Sequence, residues 1–348
     1  TKQFLNDPAR GAIESLSGLA RSRLDLLVWD ADQQIIRRAT PQAAGQVGLV
    51  SGGGSGHEPL HAGFVGDGML SAVAPGGVFA SPSSDQILAA TRAADTGAGV
   101  LHIVKNYTGD VLNFRLAADA ARAEGIAVAS VLVDDDVSVD GSDHSVGKRG
   151  TAATLFVHKI AGAVAAAGGS LDDVRAAAAD VVARSASFGI ALTSPSLPGA
   201  NSPILALGPD EIEVGVGIHG ERGRRSGRLR PAKDLVAESV EIIASHLGLG
   251  SGSRVIALVN GFGATPLMEL YVLFNDLADN LTQRGITIDR NLVGNYVTSL
   301  DMAGCSLTVM WLDEELEHRN VFNASAYSMC YIVWGRSYSI ISKECRPF

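Results

Sequence analysis

Glu213-Val214-Gly215-Val216-Gly217-Ile218-His219-Gly220-Glu221 reads as a short strand that runs into a glycine-flanked turn and holds one imidazole there. Gly217 and Gly220 permit close backbone approach and positive φ at little cost. A histidine at such a turn faces a cleft more readily than it packs on a helix; the plainer alternative is a loop imidazole bonded to a carbonyl. Gly215 to Gly220 also fits G-x-G-x-x-G, and the choice between the two readings governs the fold. A dinucleotide-binding unit needs a helix that opens at the third glycine. Here Glu221-Arg222-Gly223-Arg224-Arg225-Ser226-Gly227 follows, a charged, glycine-broken loop, and helical periodicity resumes only near Pro231. The stretch is therefore read as a cleft histidine and not as a nicotinamide site.

Around it lie 348 residues, a length for about two domains. Hydrophobic residues at 46% and charged residues at 19% suffice for a globular core. The 40 glycines gather at the ends of apolar runs, where α/β enzymes keep binding loops. A net charge of −9 argues against nucleic acid or an anionic membrane as partner. No apolar run reaches the roughly 18 residues of a membrane span, and the first residues lack the pattern of a secretory signal. Cys305, Cys330 and Cys345 form neither a metal-spaced set nor a disulfide framework, so no metal site and a reducing, cytoplasmic setting are expected.

Residues 1–188 alternate strand and helix. A helix-like segment at 8–22 and an extended one at 24–29 precede a short apolar strand at 47–50. That strand runs into Ser51-Gly52-Gly53-Gly54-Ser55-Gly56-His57-Glu58-Pro59, a loop whose backbone N–H groups can meet an oxyanion. It is no Walker A loop, because His57-Glu58 stands where Lys-Ser/Thr is required. Ser83 or Ser84 caps a helix at 85–94, which leaves Ser81 free to face the cleft. A strand at 100–104 ends in Lys105-Asn106-Tyr107-Thr108-Gly109-Asp110, and a helix follows from 111. Asp110 is read as its N-cap, a duty compatible with catalysis at the C-terminal end of a parallel strand. Lys105 is a substrate contact or a surface charge. Asp134-Asp135-Asp136, after a strand at 127–133, has the hard oxygens for Mg²⁺ but is expected to be a solvated loop. Residues 141–150, with His144, Lys148 and Arg149, read as a mobile flap. Helices follow at 151–167 and 171–186, the second opened by a Ser170/Asp173 capping box. His158 lies inside the first and is read as a packed or surface imidazole.

From 189 the pattern shifts. Strands are expected at 189–192, 204–207, 211–218, 254–259, 291–296 and 306–312, with helices at 232–247 and 267–284. Thr265 and Pro266 stand as cap and first helical residue of the latter. The expected fold is α/β: an N-terminal α/β domain with a mainly parallel sheet (1–188), then an α+β, split-βαβ-like domain (189–316). Residues 317–348 carry two of the three cysteines and three of the six tyrosines, unlike the alanine- and glycine-rich body, and are set apart as an atypical tail.

With His57, Asp110 and His219 in hand, the chain resembles the K subunits of bacterial dihydroxyacetone kinases. Matching stretches reach to about residue 316: Ser51 to Pro59, Lys105 to Asp110, Gly147-Lys148-Arg149-Gly150, Gly215 to Glu221, Asn260-Gly261-Phe262-Gly263, and Gly294-Asn295-Tyr296-Val297-Thr298-Ser299-Leu300-Asp301-Met302-Ala303-Gly304. The resemblance implies a homodimer whose His219 binds dihydroxyacetone covalently as a hemiaminal. Asp110 and His57 would manage its hydroxyl protons, and Gly54, Ser55, Gly56, His57, Ser81, Lys105 and Asp110 would line the pocket. It implies no cofactor on this chain. ADP or ATP with Mg²⁺ belongs to a nucleotide-binding L subunit, recharged by a phosphotransferase protein or exchanged for ATP. The chemistry fits these residue types, since a neutral imidazole adds to a ketone and not to a polyol. Asp110 can take the attacking hydroxyl's proton while His57, titrating near neutrality, shuttles another. Two other readings stay open: a kinase subunit for a four-carbon ketose such as erythrulose, and a silent relative that senses the ketone as a coactivator of transcription. Residues 143–146 lack the aromatic expected before Gly147, and the tail departs from the family's ending.

Overall fold

The computed structural model describes residues 2–138 and 147–312, with the backbone of 327–328 and 335–336. The readings made on 139–146, His144 included, and on the tail's Cys330 and Cys345 lie outside the described residues.

The first sheet contains β1 (Leu27–Asp30), β2 (Ile35–Arg38), β3 (Gly48–Ser55), β5 (Ala72–Val78), β6 (Val100–Lys105) and β7 (Val128–Val133), in the order β1-β2-β5-β3-β6-β7. The short β4 (Gly66–Asp67) stands apart from it. β3 pairs in parallel with β5 and β6, and β6 with β7, while the β1–β2 hairpin adds an antiparallel edge. Five helices accompany it: α1 (Gly11–Ser22), α2 (Ser84–Ala94), α3 (Thr108–Ala123), α4 (Thr154–Ala166) and α5 (Leu171–Ala183). Side chains alternate across the sheet with period two. Val50, Val100 and Val104 pack with Ile87 of α2 and Phe114 of α3. Leu49, Leu101 and Ile103 point the other way, into a core shared with Leu155, Phe156 and Ile160 of α4. Helices on both faces are what a buried parallel sheet requires.

The glycine run is strand, not loop. β3 stays paired with β5 through Ser55, and the turn begins at Gly56, with φ of 102°. A Cβ on Gly52 would stand 2.5 Å from the Ala74 carbonyl oxygen, and one on Gly54 2.7 Å from backbone atoms of Phe79 and Ala80. Absence of side chains lets β5 and its following turn close onto β3, against the usual reluctance of glycine in strands. Ser83 caps α2 with Gln86, and Ser170 caps α5 with Asp173, as expected. The capping role expected of Asp110 is corrected. α3 starts at Thr108 with Tyr107 at its N-cap, so Asp110 lies inside the first turn. Asp135 and Asp136 are buried, not solvated. Asp135 accepts hydrogen bonds from Thr151 N at 2.6 Å, Ala153 N at 2.9 Å and the Ser187 hydroxyl, and Asp136 pairs with Arg149 at 2.7 Å. They staple β7 to the next sheet.

That second sheet comprises β8 (Ser185–Ala191), β9 (Glu211–Val214), β10 (Arg225–Arg228), β11 (Arg254–Gly261), β12 (Thr287–Gly294), β13 (Gly304–Leu312) and β15 (Gly335–Arg336). Its order is β10-β9-β8-β13-β11-β12-β15, and β14 (Tyr327–Ser328) pairs with β4 instead. β11 and β12 are parallel and joined by α7 (Leu267–Gln283), a βαβ unit in an otherwise antiparallel sheet. Val240 and Ile243 of α6 (Ala232–Leu247) and Leu270 and Leu277 of α7 cover one face. On the other face Ile256, Leu258 and Met310 join the core beneath α4, so the two sheets share one interior.

Five expectations change here. The break placed at 188 falls inside β8, which is continuous from Ser185 to Ala191. Residues 204–207 form no strand, and the strand expected at 211–218 ends at Val214. The charged stretch after Glu221 contains β10, which pairs back on β9 with Arg225 opposite Val214. Its arginines hold it as a charged edge, Arg225 reaching Glu238 at 2.8 Å. Thr265 does not cap α7: its hydroxyl bonds Gly304 O at 2.6 Å and Gly304 N at 2.7 Å, and Pro266 takes the cap position. Among the described residues no helix is long and apolar enough to cross a membrane.

Candidate active site

The C-terminal ends of β3 and β6 and the turn after β9 come together at one place. His57 follows β3, Lys105 ends β6, Asp110 sits in the first turn of α3, and His219 projects from the turn between β9 and β10. The His219 ring is 23% exposed and edge-on to three others: Tyr107 at 4.6 Å, His57 at 4.8 Å and Phe79 at 5.2 Å between centroids. Phe79 also stacks on His57 at 5.0 Å and 15°. Phe79 has φ of 54°, a left-handed backbone that is uncommon for a bulky residue and that aims its ring between the imidazoles.

His57 is fully buried, and its Nδ1 donates to Thr298 O at 2.7 Å. A carbonyl only accepts, so Nδ1 carries the proton and Nε2 keeps its lone pair. That Nε2 has no partner among the described residues. Burial, then the charges of His219 and Lys105, push His57 well below the usual histidine range. The expectation that it titrates near neutrality is thus corrected. It is a neutral acceptor.

Lys105 is 1% exposed, which removes the surface-charge reading. Its ammonium donates to His61 Nε2 at 2.9 Å, reaches Gly52 O at 3.4 Å and stands 3.7 Å from Asp110 Oδ2. Burial lowers its pKa while Asp110 works to raise it. Asp110 is also buried, and its Oδ1 has no partner among the described residues. Ser81 lies against the preceding Gly109, where a Cβ would stand 2.6 Å from Ser81 Oγ. Of the predicted lining residues, Gly54 and Ser55 contribute backbone only, since Ser55 Oγ is turned away to Gly76 O at 2.7 Å. Gly56 accepts the Leu300 N–H at 2.8 Å.

A line of charge behind His219 was not foreseen. Glu221 Oε2 accepts the His219 backbone N–H at 2.9 Å, and its Oε1 stands 3.9 Å from His219 Nδ1. Arg149 Nη1 is 3.5 Å from that same Oε1, and Arg149 in turn pairs with Asp136. Burial works to raise the Glu221 pKa, but the His219 ring and the Arg149 guanidinium outweigh it and hold it at about 2. A Cβ on Gly217 would collide with the Glu221 carboxylate, so this glycine serves packing as well as the turn. His61, Phe79 and Tyr107 were missed as well. His61 and Phe79 had only their closeness to His57 and Ser81 in sequence as a signal. Tyr107 stood within a quoted motif with no role given. Among the described residues no three His, Cys, Asp or Glu side chains are grouped to hold a metal ion.

Fold and site define a two-sheet α/β protein in which a carboxylate-backed histidine packs against a second, buried histidine near an acid–ammonium pair. The chain belongs to the Dak1 domain family, whose model matches residues 17–328. It is 48% identical over 314 residues to a protein of Listeria innocua, the dihydroxyacetone-binding subunit DhaK of PTS-dependent dihydroxyacetone kinase 1. That match covers 90% of this chain and 95% of the relative. Among solved structures it matches the dihydroxyacetone kinase of C. freundii with a TM-score of 0.88 and 34% identity. All of this chain is covered there, but it spans only 63% of that kinase chain. It also matches the dihydroxyacetone kinase operon co-activator DhaQ, with a TM-score of 0.83 and 35% identity over 88% of this chain and 94% of that one.

Proposed function

We propose that this chain is the substrate-binding subunit of a dihydroxyacetone kinase. It captures the ketone on His219 and presents a hydroxyl to a nucleotide-bearing partner subunit, which yields dihydroxyacetone phosphate. The supporting observation is that His219, with Glu221 behind its Nδ1, stands edge-on to His57 at 4.8 Å, and His57 in turn lies within the field of the Lys105 ammonium that pairs with Asp110. This occurs in a chain that spans nearly the whole of a dihydroxyacetone-binding relative.

The residues divide the chemistry as follows. The Glu221 carboxylate favours the proton on His219 Nδ1, which leaves the Nε2 lone pair for attack. As the Nε2–C2 bond forms, the carbonyl π bond breaks and its oxygen takes up a proton. Loss of the Nδ1 proton completes a neutral hemiaminal, and Glu221 stabilises the imidazolium stage. Anchoring C2 fixes the terminal hydroxyl for phosphoryl transfer, where positioning and charge stabilisation carry most of the rate. Asp110 Oδ1 accepts that hydroxyl's proton, and His57 Nε2 accepts a hydrogen bond from another hydroxyl. ADP or ATP with Mg²⁺ is held by the L subunit, and the protein works as a cytoplasmic homodimer.

The purified chain with dihydroxyacetone and Mg·ATP should form no phosphate ester, and addition of the L subunit should switch turnover on. A crystal soak or intact-mass measurement should show the ketone on His219, and His219→Ala should abolish its preference over glycerol. Undiminished ketone selectivity in that variant defeats the proposal. The likeness to the co-activator favours a second reading, a ketone sensor that acts on transcription. Binding without turnover in the presence of the L subunit would select it.

A further inference from the structure

Beneath the candidate site a chain of buried polar groups runs from β6 to β3 through His61. Lys105 Nζ lies 2.9 Å from His61 Nε2, His61 Nδ1 lies 3.0 Å from Ser51 Oγ, and Ser51 Oγ donates to Ile103 O at 2.8 Å. Direction along the chain follows from proton count. Ser51 has one hydroxyl hydrogen, spent on a carbonyl that can only accept. Its oxygen therefore accepts from His61, which places the imidazole proton on Nδ1 and leaves Nε2 to receive the Lys105 ammonium. Lys105, Ser51 and His61 are each at most 4% exposed, so the arrangement is screened from water.

We propose that His61 is a positioning residue, a neutral Nδ1–H imidazole that aims the Lys105 ammonium at Asp110. This deepens the kinase reading and rests on it. Of the three Lys105 N–H bonds, one points to His61 and a second to Gly52 O at 3.4 Å, which leaves the third for Asp110 at 3.7 Å. Without the acceptor at His61 the lysine head has no fixed direction and a weaker reason to stay charged at depth. The fold reserves room for the contact: a Cβ on Gly53 would collide with Lys105 Nζ and stand 3.3 Å from His61 Nε2.

The groups facing His61 are Lys105 on β6, His158 on α4 with its ring 5.3 Å away, His57 beyond the end of β3, and Asp110 beyond the ammonium; the first three favour its neutral form, and only the more distant Asp110 carboxylate opposes it. Burial, then the Lys105 ammonium, hold His61 well below the usual histidine range, and the neighbouring His158 and His57 rings leave no room for a further positive charge. A protonated His61 would confront the ammonium with a second N–H, so the acceptor role requires a neutral ring.

Two substitutions separate positioning from mere packing. His61→Gln places an amide oxygen near the Nε2 position and keeps an acceptor for Lys105. His61→Leu fills the space without one. In the enzyme assembled with its L subunit, His61→Leu should lower kcat about 10-fold or more while KM for dihydroxyacetone changes less. The basic limb of its kcat/KM profile should fall by about one pH unit, because an unaccepted ammonium loses its proton sooner. His61→Gln should restore the limb and most of kcat. Equal losses in both variants with an unmoved pH profile would overturn the proposal. A tautomer measurement by ¹⁵N NMR on the ketone-free protein tests it independently of any turnover. Nδ1–H at His61 supports the relay even if the protein phosphorylates nothing, which would sink only the kinase reading. Nε2–H overturns it.

Discussion

Glu221 Oε1 stands 3.9 Å from His219 Nδ1 while the other oxygen of the same carboxylate accepts the His219 backbone N–H at 2.9 Å. One side chain thus bonds the turn and sets a negative charge beside the ring it carries. Glu221→Gln keeps an acceptor for the N–H but removes the charge that supports an imidazolium. We expect kcat/KM for the ketone to fall about 10- to 100-fold, the scale of losing a ligand's orienting partner. Gly217→Ala should reproduce much of that loss, because its methyl displaces the carboxylate, and the double variant should be scarcely worse than either single one. Additive losses would show the two residues act separately.

Asp110 separates chemistry from binding. It is not a helix cap and its Oδ1 bonds nothing among the described residues, but its Oδ2 stands 3.7 Å from the buried Lys105 ammonium, so Asp110→Asn also weakens that pair and Tm is read beside kcat. In the assembled enzyme kcat should drop about 10²- to 10⁴-fold, the range for loss of a general base. Ketone binding to the isolated chain should persist, because the proposed bond is made by His219. Near-normal turnover would strip Asp110 of the role.

His158 provides a pH test away from catalysis. Both of its ring nitrogens are buried without partners among the described residues, and burial, reinforced by the Lys105 charge, pushes it down to about 3. Its folded pKa lies below the unfolded value near 6.5, so the unfolded chain binds more protons between the two. Stability is full above about pH 6.5 and falls as pH drops towards 3, by about 1.4 kcal/mol per pH unit for one such proton. His158→Leu should therefore flatten the fall of Tm with acid. A variant whose Tm tracks the parent from pH 7 to pH 4 would show that His158 is already charged in the folded protein.

Truncation after Leu316 should leave ketone affinity unchanged. The cleft is built from residues before that point, and what is described of the tail touches the body through two short pairings, β14 on β4 and β15 on β12. Loss of binding on truncation would show that the tail supports the site.

The sequence made the site more legible than its supports. His57, Asp110 and His219 announce themselves because glycines flank them at strand ends, a pattern readable within ten residues. The Asp136–Arg149–Glu221 line could not be read that way, since its members lie on separate turns that only the topology brings together. Glycine's poor strand propensity concealed the second half of β3, where backbone closeness to β5 outweighs propensity. β10 was hidden for the opposite reason: an arginine-rich edge strand has no apolar alternation to betray it. Asp135 and Asp136 looked like solvent-facing acids because their partners Thr151, Ser187 and Arg149 come from elsewhere in the chain.

The turn after β3 is stitched to the segment between β12 and β13. Thr298 N donates to His57 O at 3.2 Å, Leu300 N to Gly56 O at 2.8 Å, and His57 Nδ1 to Thr298 O at 2.7 Å across 241 positions of chain. The site is therefore a seam between two sheets, and in the proposed adduct a ketone bonded to His219 and held by Asp110 would cross it like a bolt. An occupied seam resists the local breathing that exposes the Gly56 and Leu300 neighbourhood to solvent exchange. On that proposal the substrate would become, for the lifetime of the adduct, a structural part of the protein that holds it.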